Sequence, residues 1–90
     1  MPKYIIEREI PGAAELFTKE GEQIARKSSG VAKELGQVQW VESYVCNDRL
    51  YCVYIAPNEE MVREHGRRGG FPVNRVSEFK LMIDPTTGEG

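Results

Sequence analysis

Apolar and polar positions alternate along this chain with two different periods, and the changes of period divide it into strands and helices. From Lys3 to Ile10 the period is two, with Tyr4, Ile6 and Arg8 on one side and Ile5, Glu7 and Glu9 on the other. Pro11-Gly12 ends this strand, because proline has no ladder donor and glycine turns freely. Beyond it Phe17, Gly21, Ile24, Ser28, Val31 and Leu35 step by four and three, the stripe of a helix lying on a core. Thr18 reads as its N-cap with Glu20 in the first turn, a start near Ala13 being the alternative, and Gly36 ends it. The small Gly21 and Ser28 on the stripe predict that this helix lies close to a sheet.

Gln39 to Ala56 reads as a hairpin turning at Asn47-Asp48, since both arms are rich in β-branched and aromatic residues. On the first arm Trp40, Glu42, Tyr44 and Cys46 alternate with Val41, Ser43 and Val45. The second arm, Leu50 to Ala56, is apolar or aromatic on both faces, as suits a strand inside a sheet. A shorter helix spans Glu59 to about Arg68, with acids at its start and Arg67 and Arg68 at its end, in line with its dipole. Gly69-Gly70-Phe71-Pro72 stops it. A last strand is predicted from Arg75 to Ile83, with Phe79, Leu81 and Ile83 alternating against Glu78, Lys80 and Met82. Residues 84–90 have nothing to bury and are expected to fray.

The resulting order, β-α-β-β-α-β, predicts a single α+β domain over residues 1–90 with the ferredoxin-like arrangement. Two crossovers around a hairpin make a four-stranded antiparallel sheet, with strands one and three central and both helices on one face. The other face is expected to carry Glu7, Glu9, Trp40, Glu42, Tyr44 and Glu78. Aromatics on an uncovered face predict either a ligand pocket or a homodimer, with two such faces closing a dimeric α/β barrel. Trp40 and Tyr44 are the pocket candidates on that face. The hairpin register leaves open whether Tyr51 or Tyr54 joins them.

Charge and composition narrow the partners. Of the 90 residues 29% are charged and the formal net charge is −2, which argues against electrostatic binding to nucleic acid or to a membrane surface. No signal-like apolar run opens the chain, and no stretch approaches the roughly 20 residues of a membrane span, so a cytoplasmic protein is expected. There Cys46 and Cys52 are expected as reduced thiols. Arg49-Leu50-Tyr51-Cys52-Val53 lacks the glycines of an RNA-recognition strand, and the first loop lacks the paired cysteines of soft-metal carriers. Gly69-Gly70 follows a helix and lacks the Lys-Ser/Thr of a phosphate loop.

His65 is the one histidine, and therefore the one side chain whose ordinary titration lies near neutrality. It reads either as a half-buried helix residue or as a ligand or acid–base group beside a glycine-rich rim. Arg68, like Arg67, reads as a helix-end charge or as a rim partner for a carboxylate or phosphate.

Lys3 to Gly12, Gln39 to Val45, Tyr51 to Pro57 and Arg63-Glu-His-Gly-Arg-Arg-Gly-Gly-Phe-Pro72 together resemble a family of small bacterial proteins. One member of that family is described as a nickel-binding protein with a ferredoxin-like fold that dimerises. Relatives often have alanine after the motif's histidine, where this chain has Gly66. The resemblance implies a nickel-binding or similar divalent-metal-binding homodimer. Within the shared segments, Glu7, Glu9, Glu42 and His65 are the residues of ligand type, and nickel(II) accepts imidazole and carboxylate. Two alternatives stand beside a metal-binding protein. One is a monooxygenase-like enzyme of the dimeric α/β-barrel kind, acting on a small organic substrate; the other is a non-catalytic dimerising module.

Overall fold

A computed structural model describes residues 1–89. The elements are β1 (Lys3–Glu9), α1 (Ala13–Leu35), β2 (Gln39–Val45), β3 (Arg49–Ile55), α2 (Glu59–Gly69) and β4 (Arg75–Glu78). A short 3-10 turn at Pro85–Glu89 follows. The sheet order is β2-β3-β1-β4 with every pair antiparallel, so β1 and β3 are central, as the ferredoxin-like reading requires. Among the described residues no helix is long and apolar enough to cross a membrane.

Burial follows the predicted alternation on the central strands. Tyr4, Ile6 and Arg8 of β1 lie opposite Tyr54, Cys52 and Leu50 of β3, and all six are buried beneath the helices. Ala13, Ala32, Val38, Ala56 and Val62 complete this core. Tyr51 therefore belongs to the open face and Tyr54 to the helix face. Cys46 is exposed and Cys52 buried, and neither forms a disulfide.

α1 begins at Ala13, the alternative start, because its first turn is held by the hairpin loop. The Gly12 amide donates to Asp48 Oδ1 at 2.9 Å and the Ala14 amide to the Asn47 carbonyl at 3.1 Å. These satisfy helix-start donors that a local cap would otherwise serve. Thr18 is an ordinary second-turn residue whose hydroxyl donates to the Ala14 carbonyl at 2.7 Å. The stripe is buried at Ser28 and Val31 but only half-buried at Phe17, Gly21 and Ile24. The expected close approach at Gly21 is absent: a Cβ built there would meet nothing within 4 Å. The first half of α1 stands off the sheet instead.

α2 is capped by Asn58, whose side chain accepts from the Met61 amide at 2.9 Å. Its end is shaped by Phe71, which folds back over Gly69, so a Cβ there would overlap the aromatic ring. At Gly66 a Cβ would stand 2.6 Å from Val73 Cγ2, which accounts for glycine after the histidine in this chain.

Strands β2 and β4 differ from the sequence expectation. β2 carries a bulge between Trp40 and Glu42, which turns Trp40 to the helix side while Glu42 and Tyr44 face the open side. The last strand stops at Glu78, well short of Ile83, because β1 has run out: Tyr4 pairs with Glu78, and the last bond runs from the Phe79 amide to the Lys3 carbonyl. That register also moves Glu78 to the side of Tyr4, away from Glu7 and Glu9.

Candidate functional site

A cavity of about 270 Å³ lies where α1 stands off the sheet. Its walls are largely apolar, with Phe17 and Ile24 from α1 and Trp40, Leu50 and Cys52 from the sheet. The β2 bulge supplies one wall: Trp40 Nε1 donates to Ser43 Oγ at 2.9 Å, which holds the indole along the strand. Polar groups enter from Ser28, Tyr54 and Arg8.

Arg8 is buried in phase with Tyr4 and Ile6, and only 2% of it is exposed. It donates from Nη1 to the Pro72 carbonyl at 2.7 Å and from Nη2 to the Tyr54 hydroxyl at 3.4 Å. The guanidinium lies 5.4 Å from the Phe71 ring centre, within cation–π range. Burial raises the Tyr54 phenol above its ordinary range, so Tyr54 keeps its proton.

His65 is fully buried between Tyr54, 4.8 Å away, and Phe71, 5.9 Å away. Its Nε2 lies 3.0 Å from the Ser28 carbonyl, and a carbonyl only accepts, so Nε2 carries the hydrogen. Ser28 Oγ stands 3.3 Å from the same nitrogen. Nδ1 then presents a lone pair, and it has no partner among the described residues. Burial depresses the imidazole's titration, Arg8 depresses it further, and the Ser28 bond opposes both.

The carboxylates named from the sequence sit on the other side of the sheet. Glu7 Oε1 accepts from Arg49 Nη1 at 3.0 Å and from the Tyr51 hydroxyl at 3.3 Å, while Glu9 stands 3.6 Å from Arg49 Nη2. Glu42 accepts from the Tyr44 hydroxyl. β3 lies between Glu42 and Glu7 and they are offset by two residues along it, so their backbones are more than about 10 Å apart at the usual strand spacing. The structure thus brings Glu7 and Glu9 together and leaves Glu42 and His65 apart from them. Among the described residues no group of three or more His, Cys, Asp or Glu side chains is placed to hold a metal. Glu7 and Glu9 are paired to Arg49, Glu42 to Tyr44, and the His65 lone pair lies on the other side of the sheet.

Of the pocket candidates, Trp40 lines the cavity, whereas Tyr44 is exposed on the open face. Arg68 is away from both, bridging the helices through Glu64 at 2.9 Å and Glu34 at 3.3 Å. Arg67 and Arg68 together hold the Glu64 carboxyl below its ordinary range. Arg8, Ser28 and Phe71 were not among the sequence candidates, and Tyr54 was one only through the open hairpin register, on the face it does not occupy. Only Arg8 carried a signal, a charge at a position whose period places it with Tyr4 and Ile6.

The crystal structure of SCO4226 from Streptomyces coelicolor A3(2) is similar, with a TM-score of 0.77 at 17% sequence identity over 90% of this chain and 99% of that one. At that identity the likeness concerns the fold. No curated protein matches the chain. The sequence profile of the family described as nickel responsive protein SCO4226-like matches residues 4–79, from β1 through β4, and the chain belongs to that family.

Proposed function

We propose that this protein is a divalent-metal-binding protein of the nickel class that works as a homodimer, with metal ligands drawn from two copies. The family description supports the nickel link. The observation that carries the dimer is the unfinished sheet edge. Past Glu78 the chain leaves β1, yet Phe79, Leu81, Met82 and Ile83 follow, with Leu81 80% exposed. An apolar run of alternating type with no partner strand among the described residues suits a second copy. Glu7, Glu9 and Glu42 are the donors that the open faces would offer, and His65, closed in behind Phe71, stays outside the metal site.

The test is sedimentation of tag-free protein with calorimetric titration of nickel. A two-chain species whose nickel affinity falls in the Glu7→Gln, Glu9→Gln, Glu42→Gln triple variant, and persists in His65→Ala, is the expected result. A monomer, or a triple variant of unchanged affinity, counts against the reading.

A second reading is favoured by the cavity: a small organic ligand held between α1 and the sheet, as the monooxygenase-like alternative requires. Soaking or titrating apolar probes while following Trp40 emission tests it.

A further inference from the structure

We propose that the helix–sheet cavity binds a small organic monocarboxylate, with the Arg8 guanidinium on its carboxylate and the apolar walls around its hydrocarbon body. This deepens the second reading above and rests on it.

Arg8 carries a buried charge. A guanidinium does not deprotonate in proteins, and a buried charge without a counter-charge is unfavourable. The acids flanking it in sequence, Glu7 and Glu9, point to the opposite side of the sheet and pair with Arg49. Among the described residues the polar partners of Arg8 are two neutral oxygens, the Pro72 carbonyl and the Tyr54 hydroxyl. These bonds leave guanidinium donors unused, and Arg8 lines the cavity. Tyr54, protonated, lines the same cavity and brings a hydroxyl donor beside it.

The rest of the lining selects the kind of anion. One buried cation balances one negative charge. Arg8 is the one cationic residue of the lining, and Lys27, exposed, stands 5.9 Å from the Phe71 ring centre. A phosphate dianion would bring charge that nothing buried there compensates, whereas a carboxylate matches the planar fork of a single arginine. Phe17, Ile24, Trp40 and Leu50 then surround an apolar body. The cavity of about 270 Å³ holds many waters' worth of space and is open on one side, so it suits a medium-length hydrocarbon chain or a single aromatic ring.

The experiment compares octanoate with octanamide, its neutral counterpart, on the full wild-type chain. Calorimetry gives affinity, and emission from Trp40, the sole tryptophan, locates binding at the cavity. Octanoate is expected to shift that emission and to bind about tenfold or more tightly than octanamide. Arg8→Gln keeps a donor for the Pro72 carbonyl and removes the charge. It is expected to abolish the preference while octanamide still binds. Equal affinity of the two probes for the wild type overturns the carboxylate assignment and leaves the organic-ligand reading standing. No emission change with either probe overturns both. Because the wild-type comparison decides alone, a poorly folded Arg8→Gln does not block the test.

Discussion

Trp40 and Glu42 stand two positions apart on one strand yet face opposite sides of the sheet, because β2 bulges between them. The extra residue breaks the alternation by one step, so every side chain after it changes face relative to those before. Trp40 becomes a wall of the cavity under α1, and Glu42 joins Tyr44 on the open face. Truncating the indole should therefore act on the helix side. Trp40→Ala is expected to lower stability by about 2–3 kcal/mol, less than for a fully buried tryptophan, and to leave the oligomeric state unchanged. Denaturant unfolding and sedimentation of the same variant check the two halves of this statement.

Asp48 should matter to a helix it does not belong to. Its carboxylate accepts the Gly12 amide at the start of α1. Asp48→Ala is expected to cost about 1 kcal/mol and to speed amide exchange at residues 12–16, a locality that hydrogen-exchange measurements would read directly.

Two glycines of the helices predict opposite effects of the same substitution. Gly69→Ala forces a methyl group into the Phe71 ring and is expected to destabilise by roughly 1–3 kcal/mol. Gly30→Ala, in the middle of α1 with open space around it, is expected to stabilise by about 0.5–1 kcal/mol through helix propensity. Midpoints of thermal or urea unfolding compare the pair.

His65 gives stability a pH dependence of definite sign. Burial lowers its folded titration below the ordinary value near 6.5, so the unfolded chain takes up the proton first. The contribution is fully present above the unfolded value and is lost as pH falls from about 6.5 toward the lower folded value. Arg8, buried nearby, adds to this direction. Unfolding free energies measured from pH 7.5 to 5 should fall for the wild type, and His65→Gln should flatten that part of the profile.

The segment after β4 is the expected contact between copies. Leu81→Asp with Ile83→Asp changes exposed side chains only, so the fold of one chain should survive. Dimer affinity is expected to drop about tenfold or more, as for apolar residues at the centre of an interface. Sedimentation at several concentrations, with circular dichroism as the control, measures this.

Element order, the ferredoxin-like topology and the faces of β1 were legible in the sequence, because strand and helix periods are local properties and each hydrophobic face must be buried. The bounds of α2 were legible for the same reason, through the acids at its start, the terminal arginines and the glycines. Other features depended on partners distant in sequence. The start of α1 at Ala13 is set by Asn47 and Asp48, and the end of β4 at Glu78 by the length of β1. The bulge at Trp40 left no mark in the alternation, since apolar and polar residues on β2 fit either phase. The candidate sites divided in the same way. Carboxylates and histidine could be recognised as ligand types, but which side of the sheet each faces decides whether they meet, and His65 and Glu7 face opposite sides. Arg8 was visible only as a charge in an apolar phase. Tertiary packing made it a buried cation at a cavity wall, because Pro72, Tyr54 and Phe71 reach it from elements 46 to 64 residues away.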